Sequence, residues 1–284
     1  MLRTSTQLRH VLKLYEDDDP EIKELIRNIL VRNSQGFIFD GIQVRKQLKR
    51  ELRPGYDRML SEIHNDLVLN AFKQQFQTHL EDLDLEKSVM LLAYWNNPAV
   101  NIHRLYEKLN LWTQEVREYF SAVDTPETIM ERLNHYLFQV QGVTGNAEDY
   151  YDPKNSFLDC ILDTRVGIPI SLSVLYMLIA RRIGLTVYGI PLPAHFIIKL
   201  EDGTREYFID PFYSGTQYSR QECQNYIISN PQTDPEKILK GCTNYEIIIR
   251  MMKNLELVYS SYLDEEEKAL QMSTLIKLVE DFYL

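Results

Sequence analysis

The chain is 284 residues long, 44% hydrophobic and 25% charged, the balance of a globular protein with a sizeable buried core. Its formal net charge of −10 is spread along the sequence and repels phosphate backbones, so no nucleic-acid partner is expected. No apolar run approaches the roughly eighteen residues that span a bilayer, and the N-terminus MLRTSTQLRH lacks the apolar stretch of a signal peptide. A cytoplasmic protein with no membrane partner is the expectation.

The first hundred or so residues read as helices. Leu8, Val11, Leu12 and Tyr15 share one helical face, and Ile22, Leu25, Ile26, Ile29 and Leu30 repeat the pattern after Asp19-Pro20. Arg45, Lys46, Lys49, Arg50 and Arg53 form a basic run with Asp40 and Glu51 beside it, the spacing of a solvated helix face. Further helices are predicted at 57–80, 86–95, 101–109 and 113–122. Asp124-Thr125-Pro126 opens another, with Asp124 or Thr125 as its cap, running to about Gln141. The Gly-, Asn-, Asp- and Tyr-rich stretch from Gly142 to Asn155 reads as an ordered loop, and Ser156 to Thr164 as a short helix.

Pro169 to Ile183 is the most apolar helix candidate, about fifteen residues with little polar face. It is too short for a membrane and reads as the central core helix, with Pro169 in its first turn and Gly184 at its stop. Strands are predicted at Thr186–Ile190, His195–Leu200 and Arg205–Ile209, and helices return from about Asp234. The fold class is therefore α+β: a helical region over 1–123, a mixed core over 124–233 and C-terminal helices over 234–284. Cys160, Cys223 and Cys242 are scattered without CxxC spacing, so neither a disulfide framework nor a metal site is expected, and no cofactor.

The last two predicted strands make a geometric prediction. If Asp202-Gly203 is a two-residue turn, paired residue numbers sum to 405 and His195 faces Asp210 directly. The carboxylate would then fix the imidazole tautomer, as the orienting acid of a catalytic triad does. Either residue alone is equally explained as structure.

Several runs occur in order: Gly142 to Asp152, Asn155-Ser156, Arg165 to Ser173, Tyr176, Ala180 to Gly184, Pro193-Ala-His-Phe196 and Ile209-Asp-Pro-Phe212. Together they resemble the bacterial SirB-type branch of the transglutaminase-like superfamily over roughly residues 125–225. The run Ile249-Arg-Met-Met-Lys-Asn-Leu255 is similar to that branch too. The resemblance implies a papain-like core, in which a cysteine at the start of a central helix packs against an antiparallel sheet bearing His and Asp. His195 matches the His and Asp210 the Asp, while Pro169 stands where the cysteine would be. Ala194 replaces the branch's usual Gly. Asn155, Arg165, Pro169, Ala194 and Phe196 are expected to line the cleft, with Tyr150, Tyr151, Phe212 and Tyr213 as possible walls.

Two functions follow from that departure. One is a non-catalytic module that uses the cleft to bind a peptide or protein partner. The other is a hydrolase or acyltransferase using Ser171 with His195 and Asp210, although a serine near a helix start also satisfies free backbone N–H groups. Ser173 and Cys160 are weaker nucleophile candidates, Cys160 because its neighbours Phe157, Leu158, Ile161 and Leu162 mark a core position.

Overall fold

The apolar run that starts at Pro169 folds, in a computed structural model of the chain, into a helix buried on nearly every side. The structure describes residues 10–11, 13–15, 19–32, 50–78, 81–228 and 234–283. Leu8, Leu12, Asp40, Arg45, Lys46 and Lys49 lie outside them. Two compact units divide the chain, Met1–Gln77 with Tyr94–Val100, and Thr78–Ala93 with Asn101–Leu284.

In the first unit, α1 (Pro20–Arg32) and α2 (Arg53–Thr78) supply most of the described residues. Tyr15, Tyr56, Met59 and Ile63 form its core, with Val11, Ile26, Leu60 and Leu67 packed around them. An Arg27–Asp66 ion pair ties α1 to α2.

The second unit takes in most of α3 (Leu85–Asn96), then α4 (Ile102–Arg117) and α5 (Pro126–Asn134). The two helices predicted at 101–109 and 113–122 are one. Leu105, Leu109, Trp112 and Val116 make an unbroken buried stripe, and no breaker interrupts it. Thr125, not Asp124, caps α5 by accepting from Thr128 N at 3.2 Å. Asp124 instead accepts from Ser121 N at 2.7 Å and pairs with Arg132. The turns His135–Val140 continue α5 with π geometry, Gln141 N bonding Tyr136 O at 2.8 Å.

The loop that follows contains β1 (Thr144–Gly145), paired in parallel with β2 (Val166–Gly167) across α6 (Leu158–Thr164). Next comes α7 (Pro169–Arg182), on which twelve consecutive residues from Pro169 to Ala180 are buried. It packs on β3 (Thr186–Ile190) and β4 (Ile197–Glu201). With β5 (Glu206–Asp210) and β6 (Thr216–Tyr218) these form an antiparallel sheet in the order β3-β4-β5-β6. Four helices close the chain: α8 (Arg220–Ile228), α9 (Pro235–Leu239), α10 (Asn244–Ser261) and α11 (Glu266–Tyr283). Sequence patterning missed β6 and α8, which are short and largely polar. No helix among the described residues is long and apolar enough to cross a membrane.

The hairpin register differs from the predicted one. Ile198 pairs with Ile209 and Glu201 with Glu206, so partner numbers sum to 407 and the turn has four residues. The cause is Asp202. Its Oδ1 accepts from Thr204 N at 2.9 Å and Arg205 N at 2.7 Å, capturing two amides that a tighter turn would place in the ladder. Gly203, at φ +88°, supplies the left-handed residue such a turn needs. Asp210 therefore extrapolates opposite Ile197 rather than His195. His195 itself lies before β4, outside the paired residues.

Candidate functional site

His195 precedes β4 in a turn. Its backbone N–H bonds Leu192 O at 3.2 Å across Pro193-Ala194, and Ala194 sits at φ +52°. Proline second and a left-handed residue third is the pattern that favours glycine in third place, which gives the resemblance's usual glycine a physical reason. This turn also delays the strand, so β4 starts at Ile197 rather than His195.

The turn carries the imidazole back toward β5. His195 Nε2 lies 2.6 Å from Asp210 Oδ2, and the Asp210 side chain is fully buried. The second oxygen, Oδ1, accepts from Phe212 N at 3.0 Å and Tyr213 N at 3.3 Å. With both oxygens of the carboxylate placed as acceptors, Nε2 is positioned as the donor to Asp210, and Nδ1 is the ring nitrogen turned away from it. Phe212 and Tyr213 flank the ring, with centroids 6.2 and 5.9 Å away.

Pro169, Ala194, His195 and Phe196 line one open cleft of about 720 Å³. Ser156, Ile168 and Ile170 share its floor, and Tyr150, Tyr151, Phe212, Tyr213 and Tyr226 its aromatic rim. Close approach shapes one wall, since a Cβ on Gly145 would stand 2.5 Å from the Phe212 ring.

Asn155 and Arg165 are not among the walls. Asn155 is buried behind the cleft, where its Nδ2 donates to Asp149 O at 2.7 Å and its Oδ1 accepts from Asn146 Nδ2 at 3.1 Å. It fastens the loop that carries Tyr150 and Tyr151 and caps no helix. Arg165 ends α6 in the left-handed region at φ 68°, with its guanidinium 4.6 Å from the centre of the Trp112 ring.

Ser171 is likewise absent from the cleft lining. Its Oγ donates to Asn155 O at 2.5 Å and accepts from Ile168 N at 3.1 Å, an amide whose other contact, to Asn155 O, is longer at 3.4 Å. Ser173 is fully buried, its Oγ 3.4 Å from Phe196 O. All three thiols are driven away from thiolate, chiefly by burial. Cys160 and Cys223 are pushed up to about 11 and Cys242 to about 12. Among the described residues no group of His, Cys, Asp and Glu could hold a metal ion.

Among the cleft residues not singled out in the sequence are Arg250 and Asn254 of α10. Arg250 Nη2 donates to Leu192 O at 3.1 Å and His195 O at 2.7 Å, clamping the turn that presents the imidazole. Burial lowers its pKa below the usual arginine value. The signal was present in the run Ile249–Leu255, where these two polar residues, four apart, interrupt an apolar helix.

A family model described as the transglutaminase-like superfamily matches residues 103–253. A UPF0162 protein of Vibrio cholerae is 31% identical over 210 residues, covering 72% of this chain and 74% of its own. One from Xylella fastidiosa (strain 9a5c) is 29% identical over 208 residues, covering 70% and 73%. The human F-box only protein 21 is 32% identical over 142 residues, which is 47% of this chain and 22% of that protein. No solved structure matches the chain.

Proposed function

The chain belongs to the transglutaminase-like superfamily, and from that premise we propose that it is a non-catalytic member whose cleft binds a peptide or protein segment. The observation that carries this reading is Pro169. It occupies the first position of α7 and lines the cleft with His195, where the superfamily resemblance puts a cysteine. Proline has no nucleophilic atom. A thiol there would gain from the helix N-terminus and the imidazole, so its absence removes the group that this architecture activates. The raised thiols of Cys160, Cys223 and Cys242 offer no replacement. What remains is an open, aromatic-rimmed groove with a rigidly held imidazole, a surface suited to binding.

The experiment is a panel of ester and amide substrates assayed with wild type and His195→Ala. Equal background rates are expected. Turnover in wild type that disappears in His195→Ala would overturn the reading.

One observation favours a second reading. The bond between His195 and Asp210 is the orienting half of a triad, and it is intact. A Ser171–His195–Asp210 hydrolase would use it, but Ser171 Oγ would first have to give up Asn155 O. Turnover that is lost in Ser171→Ala as well as in His195→Ala would select this second reading.

A further inference from the structure

Arg250 is the one charged side chain that reaches the cleft from α10; its guanidinium lies 5.4 Å from the centre of the Phe196 ring, and no carboxylate pairs with it among the described residues. Its Nη2 is spent on two backbone carbonyls, Leu192 O and His195 O. Its Nε and Nη1 have no hydrogen-bond partner among the described residues, and it takes part in no ion pair among them. The titratable groups that act on its charge are the Cys242 thiol and the Tyr150 hydroxyl, neither of them a carboxylate, and the Phe196 ring adds only a cation–π contact. A half-buried guanidinium without a counter-ion is costly unless something supplies one.

The neighbours narrow what that something is. Asn254, one helical turn along α10, lines the same cleft, and its amide has no partner among the described residues. Around the two stand Tyr150, Phe212, Tyr226 and Leu257. Tyr226 and Leu257 are 47% and 50% exposed, so apolar surface faces solvent at the mouth. The lining holds one carboxylate, Asp152, which is not among the groups acting on Arg250, so the guanidinium beside its aromatic neighbours fits one further anionic group with apolar neighbours. A net charge of −10 acts against a run of acidic residues or a phosphorylated segment. The carboxylate of a peptide's last residue meets each condition: one charge, one fixed end, and apolar side chains directly beside it.

We infer that the cleft takes a peptide by its C-terminal carboxylate, which the free donors of Arg250 and the amide of Asn254 receive. The inference rests on the reading of this cleft as a peptide-binding site, and it names the ligand class.

The test uses the full chain, immobilised, and a pool of randomised hexapeptides made in free-acid and C-terminal amide forms, with retention quantified by mass spectrometry. Wild type is expected to retain the free acids at least about tenfold better than the amides, the worth of one charge-assisted hydrogen bond. Arg250→Met should remove that preference, although it also releases the clamp on the His195 turn. Asn254→Asp avoids that difficulty, since it leaves the clamp in place and puts an internal carboxylate beside the guanidinium. It should bring the two forms to near parity while its thermal unfolding matches wild type. A preference that survives Asn254→Asp would overturn the inference. Equal retention of both forms by wild type, lost in Phe212→Ala, would overturn the carboxylate and leave the peptide-binding reading standing. Retained peptides that share an internal Asp or Glu whether acid or amide would also overturn it. No retention of either form would count against both.

Discussion

The Ser171 hydroxyl donates to the Asn155 carbonyl at 2.5 Å, joining the start of α7 to the segment that carries the cleft's tyrosines. The same oxygen accepts from Ile168 N, so one side chain satisfies groups on both sides of the helix start. Ser171→Ala should therefore destabilise the protein by about 1 kcal/mol, a lost cap, with the Asn155 carbonyl keeping only its longer bond from Ile168 N at 3.4 Å. Urea denaturation measures it. A loss below about 0.5 kcal/mol would show that the hydroxyl is dispensable there.

Ala194 holds a left-handed backbone at φ +52°, which costs an L-residue roughly 1–2 kcal/mol. Glycine escapes that cost but gives back part of it through a looser unfolded chain. Ala194→Gly is expected to raise stability by about 0.5 kcal/mol, with the His195–Asp210 contact unchanged. Thermal unfolding provides the comparison, and a clear drop in midpoint would contradict a strained turn.

Pro169→Cys asks whether the cleft still activates a thiol. A cysteine at this position stands at a helix N-terminus and shares the cleft with His195, so its thiol should fall below the ordinary value of about 8.5. Iodoacetamide should alkylate position 169 at pH 7 well before Cys160, Cys223 or Cys242. Adding His195→Ala should slow that labelling. A thiol no faster than the native three would mean that the imidazole does not serve this corner.

Stability should fall at alkaline pH for a reason that lies in the thiols. Folding raises Cys160, Cys223 and Cys242 to about 11, 11 and 12, so the folded chain keeps protons that the unfolded chain has released. The resulting stabilisation is fully present below the ordinary thiol value of about 8.5 and is lost as pH rises toward the folded values. The urea midpoint should decline between about pH 9 and 11. Cys242→Ser, which keeps a donor for Gly189 O, should flatten part of that decline.

Asp210→Asn and Asp210→Ala separate the two halves of the carboxylate. Asparagine can keep an acceptor for Phe212 N and Tyr213 N, whereas alanine leaves both amides without one. The expected losses are about 1 kcal/mol for asparagine and about 3 kcal/mol for alanine. Similar losses for the two would assign the stability to the imidazole contact instead.

What the sequence revealed divides along a physical line. The central helix, three of the four sheet strands and the His195–Asp210 pairing follow from periodicity over short distances, and the structure contains them. The register was misjudged because Asp-Gly reads as a two-residue turn, while the Asp202 side chain competes for the same amides. Asn155 was expected to line the cleft, yet it lies behind it, with Asn146, Asp149 and the distant Ser171 as its partners. Arg250 lies 55 residues from the turn it clamps, a separation that no local pattern records. Contacts set by tertiary structure were the ones missed.

The four-residue tip of the β4–β5 hairpin has one more consequence. Lengthening a hairpin tip by an even number of residues shifts the partners along the strands but leaves each side chain on its original side. A register misjudged by two therefore kept Asp210 on the expected face, and the Leu192–His195 turn brought the imidazole to it. Deleting Gly203 alone would make the change odd and turn one strand's side chains over relative to the other, parting His195 from Asp210. Excising two residues of the tip would restore the match. The chain's chemistry at one end of this ribbon thus depends on a count made at the other, more than on which residues are counted.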